Sequence, residues 1–225
     1  MFVSLYKKLR DLFFPRFCFN CETHIYDGLL CEDCLKRLKV LAPGKGRAGL
    51  CKKCRQKKPD YDSLISCFLY REPLKQLLFL YKYGHYDFFS SFFSSLIADH
   101  LKRIGFPHHD YDLIIPVPLY RTKRRQRQYN QTELLARGLS GILGIPCAAD
   151  ILYCRRPHRS QTAIDKTRRK DNVKDVFAVK RPLRRENIII LDDVVTTCAT
   201  IAECSKVLKE DNCGKIAVIT LARAQ

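Results

Sequence analysis

Ile188-Ile189-Ile190-Leu191-Asp192-Asp193-Val194-Val195-Thr196-Thr197-Cys198-Ala199-Thr200 is the stretch that decides the fold. Four large aliphatic side chains in a row lack the polar alternation of a half-exposed strand. Residues 187–191 therefore read as a central strand of a parallel sheet, buried on both faces. Two carboxylates follow, then small hydroxyl residues, then a helix start. At the carboxyl end of such a strand, free amides and the amino end of the next helix make an anion site, and threonine hydroxyls add donors. Adjacent carboxylates would repel a phosphate unless they bind sugar hydroxyls or a divalent cation, and a ribose carrying pyrophosphate offers both. In the alternative reading Asp192 caps the following helix and the threonines are ordinary turn residues.

Outward from this stretch the pattern repeats. Short apolar runs at 113–117 and 215–221 alternate with helical spacing at 131–143 and near 199–209, the pattern of βαβ units around a parallel sheet. Upstream, 63–70 reads as a strand. Leu74, Leu77, Leu78 and Tyr81 have helical spacing ended by Gly84, and a second helix runs through 88–103. The expected fold is a doubly wound α/β domain over residues 61–225, preceded at 1–60 by a helix and a small cysteine module.

Of twelve cysteines, six form three Cys-x-x-Cys pairs, all before residue 55. Cys18-x-x-Cys21 and Cys31-x-x-Cys34 supply four thiolates in two knuckles, each able to wrap one side of a tetrahedral Zn²⁺. A module this small buries little core, so the metal supplies its folding energy. The third pair, Cys51 and Cys54, either binds a second ion with an outside ligand or replaces Cys31 and Cys34; the spacing allows both. Cys67, Cys147, Cys154, Cys198, Cys204 and Cys213 are scattered and read as small buried hydrophobes.

Lys and Arg number 41 against 23 acidic residues, a formal charge of +18, which points to an anionic partner such as a phosphate-rich ligand or nucleic acid. Residues 121–127 carry five of these cations, read here as a basic loop that wants an anion beside it. Tyr81, Tyr83, Tyr86, Phe88 and Phe89 can stack unpaired bases or serve as core, and core is favoured for Phe88 and Phe89. The opening residues 1–15 have the spacing of an amphipathic helix too short and too charged to span a bilayer. With no apolar run of membrane length, the expectation is a soluble, cytoplasmic chain without stable membrane insertion.

The hydrophobic strand, Asp-Asp and Thr-Thr-x-x-Thr resemble the phosphoribosyl pyrophosphate loop of type I phosphoribosyltransferases. That resemblance implies that Asp192 and Asp193 hold ribose hydroxyls, directly or through Mg²⁺. It implies as well that Val195, Thr196, Thr197, Cys198, Ala199 and Thr200 cradle the 5′-phosphate. The order of features along the chain is similar to that of the ComF family, specifically ComFC-like proteins. It runs from the cysteine knuckles through Leu80-Tyr81-Lys82-Tyr83-Gly84 and Ile115-Pro116-Val117-Pro118 to a basic stretch ending Tyr129-Asn130-Gln131. Gln161, Arg168, Asn172 and the Asp-Asp loop follow. The family implies a role in natural transformation: handling imported single-stranded DNA, in company with other DNA-uptake or recombination proteins. The same resemblance makes Arg125, Arg127, Asn130, Arg168 and Arg169 candidates for contacts to pyrophosphate or DNA phosphates. A working phosphoribosyltransferase that joins phosphoribosyl to a nitrogen base and releases pyrophosphate is the alternative function. Two departures stand out, because the family has glycine where this chain has Gln128 and Cys198.

Overall fold

The computed structural model describes residues 16–42, 59–156 and 175–224. Its centre is a four-stranded, wholly parallel sheet in the order β3 (Ser63–Leu69), β8 (Ile216–Arg223), β7 (Ile188–Val195), β4 (Leu113–Pro116). Ile188, Ile189, Ile190 and Leu191 are all fully buried, as a strand covered on both faces requires.

Helices α2 (Leu74–Tyr83), α3 (Phe89–Arg103) and α5 (Gln131–Leu143) pack on one face around Phe89, Phe93, Leu135 and Leu139. Helix α6 (Ala199–Glu210) and an antiparallel hairpin of β5 (Leu152–Cys154) and β6 (Phe177–Val179) cover the other. With helices on both faces, the sheet is the doubly wound type expected. The hairpin is unforeseen, since strands of three residues carry too few positions to show a period.

The cysteine module consists of β1 (Arg16–Phe17), β2 (His24–Ile25) and α1 (Glu32–Lys36). It packs into the same core as the first helical layer through Cys18, Ile25, Leu30, Cys34 and Leu38. Its exit covers the β3 edge: the Leu41 amide donates to the Cys67 carbonyl, and the Leu69 amide to that of Lys39, both at 2.9 Å. A sheet edge left open would be a template for unwanted pairing.

Two expectations are corrected. Residues Arg121–Arg127 form helix α4 rather than a loop. Arg and Lys are good helix formers, and about two turns of cations are tolerated where Arg121, Arg124 and Arg125 reach solvent. Helix α4 ends at Gln128, in the left-handed region at φ 65°. Secondly, β7 does not stop at Leu191. It runs on through Val195, because Val194 and Val195 are β-branched and find partners in Ala222 and Arg223 of β8. The turn itself is Thr196–Cys198, and Asp192 and Asp193 are strand residues.

Candidate functional site

Chain topology positions the site. Strand β4 leads at its carboxyl end through α4 into α5 on one face of the sheet, whereas the neighbouring β7 leads into α6 on the other. Adjacent strands whose following segments depart to opposite faces leave a crevice between them, the place where open α/β sheets bind ligands. The Thr196–Cys198 turn therefore opens on the same crevice as the basic helix.

Three details describe the turn. The N-cap of α6 is Cys198, which is buried and whose side chain makes no capping hydrogen bond to this twelve-residue helix. Asp192 does not cap the helix; its Oδ1 accepts the Asp193 amide at 2.8 Å. The Thr197 Oγ1 is shielded from solvent and has no hydrogen-bond partner. A shielded hydroxyl without a partner costs about 1–3 kcal/mol, which an acceptor placed in the turn would recover. Cys198 itself sits at φ 60°, where a Cβ is unfavourable and glycine is at ease. Gln128 and Cys198, where the resemblance leads one to expect glycine, thus both occupy left-handed backbone.

Consecutive strand residues project to opposite sides of the pleat. Asp193 meets Lys82 at the end of α2, Nζ to Oδ2 2.8 Å, with only 19% and 11% of the two side chains exposed. Asp192 lies against Cys204 of α6, whose thiol is pushed up by burial first and by Asp192 next. The Asp192 carboxyl is itself raised to about 7, chiefly by burial and then by the neighbouring Asp193 charge, with Lys82 opposing. Lys82 had no role in the sequence reading beyond its place in a motif. Its position four residues after buried Leu78, at the rim of the apolar face of α2, was the available signal.

The end of α2 is locked in place. The Tyr81 hydroxyl donates to the Gln131 carbonyl at 2.7 Å, Tyr129 donates to the Tyr81 carbonyl, and Gln131 Nε2 donates to that of Lys82 at 3.4 Å. Burial and, secondarily, the Asp193 charge raise the Tyr81 phenol, which stays protonated. Arg127 donates to Gln131 Oε1 at 3.1 Å and to the Tyr83 hydroxyl at 3.2 Å, and its guanidinium lies 5.0 Å from the Tyr83 ring centroid. Lys123 is held below the usual lysine range by burial and then by the charges of Arg127 and Lys82. Lys82, Lys123 and Arg127 thus form a cluster of cations, of which Lys82 reaches Asp193.

The remaining candidates divide. Asn130 is buried as the N-cap of α5, accepting from the Thr132 amide at 3.2 Å. Arg125 is solvent-exposed on α4. Arg168, Arg169, Gln161, Asn172, the pair Cys51 and Cys54, and the expected helix at 1–15 lie outside the described residues. Among the aromatics, Tyr81 and Phe89 are core. Phe88, by contrast, is 47% exposed, so its expected burial is corrected: it starts α3 on the solvent side. Phe79 and Tyr83, one turn apart on α2, are also exposed, with ring centroids 5.2 Å apart.

The sulfurs of Cys18, Cys21, Cys31 and Cys34 lie within 4.8 Å of one another, Cys21 and Cys31 at 3.6 Å. Zinc–sulfur bonds of about 2.3 Å in a tetrahedron place sulfurs about 3.8 Å apart, so the four thiols fit a single ion and can hold one. The Asn20 side-chain amide donates to Cys34 Sγ at 3.2 Å, an outer contact of the kind that orients metal-binding thiolates. Thr23 lowers the Cys21 thiol to about 6 through side-chain and backbone hydrogen bonds. A cleft of about 550 Å³ beside the module is lined by Lys36, Arg37, Lys39 and Arg71 together with Leu38 and Glu72. No described helix is long and apolar enough to cross a membrane.

Fold and site define a parallel, doubly wound α/β protein with a four-cysteine module able to hold a metal ion. No family model matches the chain. Relatives do. The chain is 29% identical to competence protein F of Haemophilus influenzae over 94% of its own length and 99% of that protein's. It is 27% identical to the DNA utilization protein YhgH of Escherichia coli K12, over 93% of this chain and 97% of that one. The competence protein ComFC of Streptococcus pneumoniae is 23% identical over 88% and 89%. Among solved structures, a purine phosphoribosyltransferase from Pyrococcus horikoshii overlaps 59% of this chain and 80% of its own, with TM-score 0.36 and 16% identity. The chain is a homologue of the competence F and ComFC proteins and of the DNA utilization protein YhgH.

Proposed function

We propose that this protein serves DNA uptake, binding single-stranded DNA and holding phosphoribosyl pyrophosphate at the Thr196–Cys198 turn. In this reading residues 1–60 are a zinc-stabilised module and 61–225 the ligand-binding domain, working in the cytoplasm with other DNA-uptake or recombination proteins. The names of the full-length relatives support the DNA role. The observation that carries the ligand reading is the shielded, unpartnered Thr197 hydroxyl beside the amino end of α6. Both are donors that a phosphate would accept from. Asp192 and Asp193 would take the ribose hydroxyls, and Val195 to Thr200 the 5′-phosphate.

For DNA the exposed side of α2 next to α4 offers a second surface. Phe79 and Tyr83 present ring faces next to Arg127 and the cations of α4, the combination of stacking platform and positive groove that binds unpaired strands without sequence preference. The basic cleft by the cysteine module offers a further positive surface. Fluorescence anisotropy of a labelled single-stranded oligonucleotide tests this half. Tyr83→Ala should weaken binding by about 5- to 100-fold, the worth of one stacked base, and log affinity should fall steeply with log salt. Affinity independent of salt, or unaltered in the Tyr83→Ala, Arg127→Ala double variant, would refute it.

A further inference from the structure

We infer that Lys82 is the resident counter-cation of Asp193, so that the turn takes its phosphosugar without a divalent cation on that carboxylate. The phosphosugar part of this inference rests on the function proposed above; the part about Lys82 does not.

The geometry is restrictive. Lys82 Nζ stands 2.8 Å from Asp193 Oδ2, and both side chains are largely withdrawn from water. A magnesium ion demands its carboxylate oxygen at about 2.0–2.1 Å in near-octahedral array, and would have to share Asp193 with an ammonium group. The two cations would then repel one another across a few ångströms of poorly screened space. Lys82 cannot easily withdraw its backbone, because Tyr81, Tyr129 and Gln131 tie the last turn of α2 to the start of α5. Arg127 and Lys123 share the surroundings of Lys82, since the charges of Lys82 and Arg127 both act on Lys123. Asp193 is thus already neutralised from within the chain. An ammonium group has three donors, so Lys82 keeps two for a ligand's oxygens after pairing with Asp193. The ligand class that fits is a ribose phosphate presented free of metal, with Lys82 supplying the charge a divalent ion would otherwise bring.

The test begins with Mn²⁺ alone, titrated into the zinc-loaded protein and followed by the paramagnetic resonance of the free ion. Wild type should show no site attributable to Asp193. Lys82→Met, which keeps the aliphatic stem, should gain one site at least about tenfold tighter than any lost on mutation in wild type. Adding Asp193→Asn to Lys82→Met should abolish that site, and Lys82→Arg, which keeps the charge, should behave as wild type. Calorimetry with ribose 5-phosphate follows. Wild type should bind with the same affinity in magnesium-free and magnesium-replete buffer, and Lys82→Met should bind well only with magnesium. Wild-type protein that binds Mn²⁺ through Asp193 as tightly as Lys82→Met overturns the inference about Lys82. Wild type that binds ribose 5-phosphate only with magnesium overturns the metal-free ligand. Absence of ribose 5-phosphate binding in either buffer defeats the phosphosugar reading, and the Mn²⁺ result still decides the role of Lys82.

Discussion

Replacing Thr197 by Val should raise the stability of the ligand-free protein and weaken its ligand, two effects of opposite sign from one methyl-for-hydroxyl exchange. In the free protein the Thr197 hydroxyl is shielded and without a partner, a penalty of about 1–3 kcal/mol that valine removes at nearly equal volume. For a chain of 225 residues, each kcal/mol moves the melting temperature by about 2–4 °C, so a rise of roughly 2–12 °C is expected. In the complex the hydroxyl donates to a charged phosphate, a hydrogen bond worth about 1.5–3 kcal/mol, so affinity should drop by roughly 10- to 100-fold. Thermal unfolding followed by circular dichroism and calorimetric titration with ribose 5-phosphate read the two effects separately. A lower melting temperature for the free variant would mean that the hydroxyl was already satisfied, and the case for the turn as an anion site would lose its best support.

Three other outcomes follow from the structure. Gln128→Gly should stabilise the protein by about 0.5–1 kcal/mol in chemical unfolding, since the residue is exposed at φ 65° and glycine removes the left-handed strain; a loss of stability would contradict the assigned backbone. Asp192, with an ordinary value of 3.8 and a folded value near 7, binds its proton more tightly folded than unfolded. It therefore makes stability fall as pH rises from about 4 to 7, and the difference between wild type and Asp192→Asn across that window should trace this loss. No difference in slope would place Asp192 in water. Elemental analysis should show one zinc fewer in Cys18→Ser than in wild type, and a strong chelator should unfold the module; equal zinc in the two would reject the four-thiol site.

Much of this was readable before any coordinates. The buried run Ile188 to Leu191, the helical spacing from Leu74 to Tyr81 and the span of α5 follow from side-chain periodicity, because burial there is uniform and local. The cysteine cluster was legible for a different reason: two-residue knuckles constrain sulfur positions whatever surrounds them. Features set by distant partners were hidden. The extension of β7 through Asp192 and Asp193 depends on pairing with Thr220 and Ala222 of β8, and it sends the two carboxylates to opposite sides of the strand. The Lys82–Asp193 contact joins residues 111 positions apart through the packing of α2 on α5. The β5–β6 hairpin is too short to show a pattern, and the helical state of α4 was obscured by its charge, which repels in any conformation. That the resemblance calls for glycine at 128 and 198 is visible in the sequence; only the backbone shows that both residues sit at positive φ.

The most direct test of the central claim maps amide resonances of ¹⁵N-labelled protein while phosphoribosyl pyrophosphate is added. The amides of Thr197, Cys198, Ala199 and Thr200 should shift first and furthest, saturating together with a single affinity. Saturable binding that leaves those four amides unmoved, with the shifts confined to the basic helix or the cysteine module, would contradict it.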